Sequence, residues 1–224
     1  MMRVPVDRHG WPLIAGFPLV FGLIGFACPL LGCAALAPWC YWTGVLGGVF
    51  MIYFFRDPER IATHGEGVLV SGADGLVRAV EEMREDLYMK ADTVRVSVFL
   101  SPFNVHINRS PMAGKITNLQ YTPGRHLLTI RNEASNRNEH SSILIEGSGS
   151  RCLVKQIVGP VVRRVIYWLA IGQVVARGER IGMMKFGSRL DMYFVKSDVN
   201  VLVKKGDRVR AGETAVASLK NSGR

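Results

Sequence analysis

The chain has 224 residues, 48% of them hydrophobic, and a formal net charge of +10, which suits one compact domain with a greasier attachment. Residues 1–55 carry a net +1, from Arg3 and Arg8 against Asp7, so +9 lies on residues 56–224. That balance favours an anionic partner, and no basic helix with interleaved aromatics points to nucleic acid. Cys28, Cys33, Cys40 and Cys152 show neither a disulfide framework nor metal-ligand spacing.

From Gly10 to Phe55 there is no Asp, Glu, Lys or Arg. The run is about twice the roughly 20 residues that cross a hydrocarbon core, so it predicts two apolar helices as a transmembrane or re-entrant hairpin, turning near Pro38. A second apolar run stands where a signal peptide would give way to polar sequence, which indicates a retained anchor. Arg3, Arg8, Arg56 and Arg60 put positive charge at both outer ends, favouring a cell-membrane hairpin with both ends and the following domain on the cytoplasmic side. The expected division is an anchor over 1–55 and a polar domain over 56–224. Juxtamembrane basic charge makes an anionic membrane surface the expected partner.

Beyond Arg56 the predicted strands are Gly67–Val70, Val94–Leu100, Leu127–Ile130, Ser142–Glu146, Leu153–Val158 and Val199–Lys204, each a short branched-apolar run between turn residues. Asn132–His140 reads as a polar loop and Gly147–Ser150 as a flexible Gly/Ser connection. Sustained helical periodicity is scarce, so the domain is expected to be mainly β (α+β), a sandwich or barrel of short strands. Gly172, Val175, Gly178 and Glu179 recur at the same spacing as Gly206, Val209, Gly212 and Glu213. The repeat predicts two glycine-closed hairpins, a pattern that resembles biotinyl and lipoyl carrier domains.

Three segments could carry chemistry: Ser71-Gly-Ala-Asp74-Gly75, Ser101 to Pro111 around His106, and Phe186-Gly187-Ser188-Arg189-Leu-Asp191. Together they offer an acid, a base and a hydroxyl, the minimal set for activating a serine. Ser188 lacks the Gly-x-Ser-x-Gly elbow of an ordinary esterase, so another use of the hydroxyl is indicated. Arg56, Arg109 and Arg125 are candidate substrate-binding residues, since guanidinium grips phosphate or carboxylate at two points, with solvated or packing arginines as the alternative. His9, His64 and His140 read as surface or turn residues.

These segments, with Phe54-Phe55-Arg56-Asp57-Pro58 and Tyr121-Thr-Pro-Gly124, resemble the short, archaeal-type phosphatidylserine decarboxylase proenzymes in the family's order. The resemblance implies a pyruvoyl cofactor made from Ser188. Its hydroxyl attacks the Gly187 carbonyl, and elimination and hydrolysis leave a β chain of 1–187 and an α chain of 188–224. The resulting ketone then engages the amino group of phosphatidylserine and withdraws the electrons left by departing carbon dioxide. His106 is the expected base, with Asp74 orienting its ring and stabilising its charged form. Many longer relatives carry a second histidine where this chain has Arg109. One histidine is then left for two proton transfers, unless His126 or a water takes one. No metal is implied, and a homodimer is a family expectation.

Two other readings use the same residues differently. Met183-Met184-Lys185 resembles the tip of a carrier domain modified at Lys185, but Asp74 and His106 are then unexplained. A non-enzymatic membrane adaptor explains the architecture and leaves all three motifs accidental.

Overall fold

The computed structural model describes residues 6–127, 137–147, 149–159, 165–185 and 188–220. The chain forms two compact units, Met1–Glu59 and Arg60–Arg224.

In the first unit, helix α1 spans Trp11–Leu30 and α2 spans Ala37–Phe54. Both are long and apolar enough to cross a membrane; α1, at 1.5 Å per residue, is roughly 30 Å long. They pack through small residues: a Cβ on Gly44 would meet Phe21 and Pro18, and one on Gly47 would meet the Phe17 ring at 2.3 Å. Leu19, Leu23, Phe26, Trp39, Trp42 and Leu46 stay exposed, and such an outward apolar surface is consistent with membrane association. The reversal corrects one expectation. The chain turns at Leu31 and Gly32 (φ +76), and Pro38 instead sits in the first turn of α2. There its missing N–H has no helical partner to lose.

The second unit is mainly β. Its strands are β1 Val68–Val70, β2 Gly75–Glu85, β3 Ala91–Leu100, β4 Ile107–Arg109, β5 Gly114–Thr122, β6 His140–Gly147 and β7 Ser150–Ile157. They continue with β8 Val165–Tyr167, β9 Val174–Val175, β10 Arg180–Met184, β11 Ser188–Val195, β12 Val199–Val201, β13 Arg208–Val209 and β14 Ala215–Leu219. A curled eight-stranded half-barrel runs β13-β2-β3-β11-β7-β6-β5-β9, and two three-stranded sheets run β1-β14-β12 and β4-β10-β8. The expected strand at Leu127–Ile130 lies, after its first residue, outside the described residues, as does most of the loop before His140.

Strand alternation gives the large sheet two different buried faces. Val96, Val98 and Leu100 of β3, Leu190, Met192 and Phe194 of β11, and Cys152 and Val154 of β7 turn into one apolar core. The opposite side carries Arg95, Ser97, Lys155, Arg189 and Asp191, all buried. Arg189 and Asp191, two apart on β11, form an ion pair at 2.9 Å.

The sequence repeat corresponds to a repeated set of hydrogen bonds. Gly172 N–H donates to Ile116 O and Gly206 N–H to Val77 O; Gly178 N–H donates to Ser110 O and Gly212 N–H to Ser71 O. All four glycines have positive φ, from +75 to +100, where a side chain is strained. Ser71 and Ser110 close matching turns, each hydroxyl donating to the carbonyl two residues on. Asp74 and Ala113 therefore hold equivalent places, and only one half of the repeat carries a carboxylate.

Candidate active site

Ser188 opens β11, a strand flanked on both sides, with its Cα paired to Leu100 at the end of β3. Its residue is fully buried, and its Oγ has no hydrogen-bond partner among the described residues. Alternation puts it on the core side, in line with Leu190 and Met192. Phe186 and Gly187, including the expected cleavage position, lie outside the described residues.

The described residues on either side of 186 and 187 meet the two ends of the His106 loop. Met184 N–H donates to His106 O at 3.2 Å, and Ser188 lies beside Leu100, from which that loop departs. The loop opens with a turn in which Asn104 Oδ1 accepts from Ser101 N–H at 2.9 Å and Ser101 Oγ at 2.7 Å, the local bonding for which Asn is favoured in turns. His106 is completely buried. Its Nδ1 faces the Asn104 carbonyl at 2.9 Å; a carbonyl only accepts, so Nδ1 carries the proton and Nε2 is the basic nitrogen.

Asp74 is engaged elsewhere. Arg60 donates Nη1–H to Asp74 Oδ1 at 2.5 Å and Nη2–H to Oδ2 at 2.8 Å, and Ala211 N–H donates to Oδ1 at 2.8 Å. Such a two-point grip is the strong form of a carboxylate ion pair. The expected arrangement in which Asp74 orients His106 is therefore corrected: in this structure Asn104 orients the ring and Arg60 holds the carboxylate. The two segments still meet through backbone, since Arg109 N–H donates to Gly72 O at 2.9 Å. A Cβ on Gly72 would lie 3.1 Å from both Arg109 O and Leu190, so glycine permits that approach.

The candidate substrate-binding arginines occupy three settings. Arg56 belongs to the first unit, where it donates to Tyr53 O and lies over the Tyr53 ring at 3.8 Å. Arg109 is buried and donates to Gly178 O at 2.9 Å. Arg125 is exposed, its backbone bridging to Asn138. His126 Nε2 pairs with Glu139 at 3.0 Å. Lys185, which the carrier reading would modify, follows β10 directly and is half-buried.

The remaining histidines differ from a plain surface reading. His9 pairs with Asp7 at 2.8 Å, and His64 Nε2 lies 2.6 Å from Glu213 O. His140 is buried at the start of β6, and burial pushes its pKa below the usual range.

Sequence reasoning missed a buried amide chain. Ser141 Oγ donates to Gln156 Oε1 at 2.7 Å, and Gln156 Nε2 donates to Asn108 Oδ1 at 2.7 Å. Ser141 and Gln156 come from β6 and β7, far from Asn108 in sequence, so no local signal announces the chain. Asn104 was more legible, because Ser-Pro-x-Asn is turn chemistry.

Known proteins resemble this chain along nearly its whole length. A family model described as phosphatidylserine decarboxylase matches residues 48–217. A phosphatidylserine decarboxylase proenzyme of Symbiobacterium thermophilum is 38% identical over 98% of both chains. One of Syntrophotalea carbinolica is 39% identical over 96% of this chain and 97% of its own, and one of Desulfotalea psychrophila is 34% identical over 97% and 98%. The chain belongs to the phosphatidylserine decarboxylase family.

Proposed function

We propose that this chain decarboxylates phosphatidylserine to phosphatidylethanolamine and carbon dioxide, using a pyruvoyl group made by self-cleavage between Gly187 and Ser188. The observation that carries the reading is the setting of Ser188: fully buried, its hydroxyl without a partner among the described residues, beside Leu100, from which the loop carrying the buried His106 departs.

The self-cleavage uses the chain's own groups. His106 Nε2 takes the Ser188 Oγ proton as Oγ adds to the preceding carbonyl. The C–N bond then breaks, the amine takes a proton, and residues 187 and 188 are joined by an ester. Loss of the Ser188 Cα proton expels the Gly187 carboxylate, and water releases ammonia to leave the ketone. Burial suits this chemistry, because excluding bulk water keeps the ester from simple hydrolysis. Asp74, gripped by Arg60 and the Ala211 amide, holds the Ser71–Gly75 turn in place.

The pyruvoyl group supplies a carbonyl that captures the substrate's amino group and receives the electrons of the broken C–C bond. The buried setting of Ser188, with His106 also buried, supports such a group there. His106 is the proposed group that returns a proton after carbon dioxide leaves. Arg56, Arg109 and Arg125 remain the proposed substrate contacts for phosphate or carboxylate.

The proposed arrangement has the helical anchor over 1–55 in the cell membrane and the catalytic domain over 56–224 on the cytoplasmic side, facing anionic lipid, with two chains paired as a homodimer. The two glycine-closed hairpins support the likeness to carrier-domain hairpins, although Lys185 has no modification role in this scheme. Purified protein added to vesicles containing carboxyl-labelled phosphatidylserine is expected to release labelled carbon dioxide, and Ser188→Ala is expected to release none. Equal release from both proteins contradicts the function.

A further inference from the structure

Asn108 ends the buried amide chain with an unused donor. Its Oδ1 accepts from Gln156, whose own Oε1 accepts from Ser141. Its Nδ2 is buried and has no hydrogen-bond partner among the described residues. An orphaned amide donor in a dry interior has given up the hydrogen bond that water offered, so such a group calls for an acceptor.

Register places the donor beside Ser188. Gln156 on β7 stands opposite Leu190 on β11, and Leu190 points into the apolar core. Ser188 is the previous residue on that face, diagonal to Gln156, a relationship that sets Cβ atoms about 7 Å apart. The Asn108 side chain reaches Gln156 on this same face. His106 lies two residues before Asn108, just ahead of β4, and is also buried. Gly182 makes the approach possible: it pairs with Asn108, and a Cβ there would lie 3.0 Å from Gln156 Nε2 and 2.3 Å from Ile166 O. Two buried groups without a partner among the described residues, Ser188 Oγ and Asn108 Nδ2, thus belong to residues on one side of the sheet.

We propose that Asn108 is a catalytic residue of self-cleavage, its Nδ2 donating a hydrogen bond to the oxygen that becomes anionic when Ser188 Oγ adds to the carbonyl bonded to the Ser188 nitrogen. This rests on the self-cleavage reading above. The new C–O bond closes a five-membered ring through Ser188 Oγ, Cβ, Cα and N, so the charged oxygen forms next to Ser188. The Ser188 proton goes to His106, and the electron pair of the former carbonyl resides on that oxygen until the C–N bond breaks. Gln156 and Ser141 are positioning residues: Gln156 occupies Asn108 Oδ1 and so leaves Nδ2 to donate elsewhere, and Ser141 fixes the Gln156 amide. A donor prepared before reaction is worth roughly a hundredfold or more in rate.

The test follows full-length chain made unprocessed by cell-free synthesis with lipid vesicles, measuring the appearance of the shorter fragments by denaturing electrophoresis and mass. Asn108→Asp keeps the shape and the acceptor for Gln156 but removes both donors, and is expected to cut about a hundredfold more slowly than wild type. Asn108→Ser and Asn108→Ala, close in size, differ by one hydroxyl donor, and the serine variant is expected to cut about tenfold faster. Gln156→Met added to Asn108→Asp is expected to cause no further slowing. Cutting by Asn108→Asp at the wild-type rate, or equal rates for the serine and alanine variants, overturns the role of Asn108 while the wild-type cut leaves self-cleavage standing. A wild-type chain that never cuts overturns both.

Discussion

Arg60 and Asp74 are joined at both carboxylate oxygens, with both side chains largely buried, 7% and 11% exposed. Arg60 is also fastened to Ala211 O at 2.8 Å, and Asp74 to the Ala211 amide. The pair thus ties the first residue of the second unit to the Ser71–Gly75 turn and the Gly212 turn. Nearby, Arg177 bonds the carbonyls of His64, Gly65 and Val68, so the whole entry segment is stitched down.

Removing one partner of such a pair leaves a buried charge, so Asp74→Ala is expected to destabilise the folded chain by about 3 kcal/mol. The double variant Arg60→Met, Asp74→Leu is expected to lose less than the sum of the two single changes. Thermal unfolding of the detergent-solubilised chain, made uncleavable by Ser188→Ala, checks this. Additive losses contradict the pairing.

The turn before His106 makes a separate prediction. Asn104→Ala deletes the acceptor for Ser101 N–H and Oγ, at a cost of about 1 kcal/mol. It also loosens the carbonyl that fixes His106 Nδ1, so self-cleavage is expected to slow about tenfold through misplacement of the base. An unchanged cutting rate contradicts the account of how the ring is oriented.

His140 gives a pH dependence with a definite sign. Burial lowers its folded pKa below the unfolded value of about 6.5, while the Asn138 carbonyl and Asp191 oppose the shift and Lys155 adds to it. A lowered folded pKa means the contribution is present above about pH 6.5 and is lost as pH falls toward the folded value. His140→Asn, which keeps a donor for the Asn138 carbonyl, is expected to flatten the decline in unfolding midpoint between pH 7 and 5. An unaltered slope contradicts it.

Lys155 is buried on the polar side of the sheet, its ammonium 5.2 Å from the Tyr193 ring and 5.9 Å from the Tyr88 ring. Burial lowers its pKa despite Glu85 and Asp191, which oppose the shift. Its charge is therefore a net cost at neutral pH, since the contribution of a lowered pKa is complete only above the unfolded value of about 10.4. Lys155→Met is expected to stabilise the chain by about 1 kcal/mol at pH 7, and a fall in midpoint contradicts this.

What could be read from the sequence depended on how far apart the interacting residues lie. The charge-free run from Gly10 to Phe55 announced two apolar helices, and Val94–Leu100 and Leu153–Val158 announced strands because both lie almost wholly within β3 and β7. Strand β11 escaped notice because Arg189, Asp191 and Tyr193 alternate with Leu190, Met192 and Phe194; its second face is buried but polar, so it shows no apolar run. Strand β2 was hidden in the same way by Glu81, Glu82 and Arg84. Ser188, His106 and Asp74 stood out in the sequence as a hydroxyl, a base and an acid. Arg60, which grips Asp74, and Gln156 and Ser141, which lead to Asn108, did not, because only the folded chain brings those contacts together. Pro38 misled because proline suits a helix's first turn as well as a loop.

The central claim is that the chain converts its own Ser188, and mass spectrometry of the denatured wild type beside Ser188→Ala tests it most directly. The account predicts two wild-type chains split after Gly187, the smaller one blocked at its N-terminus and reactive toward ketone reagents, with the variant whole. A wild-type chain that folds, associates with membrane and remains a single unmodified polypeptide contradicts it.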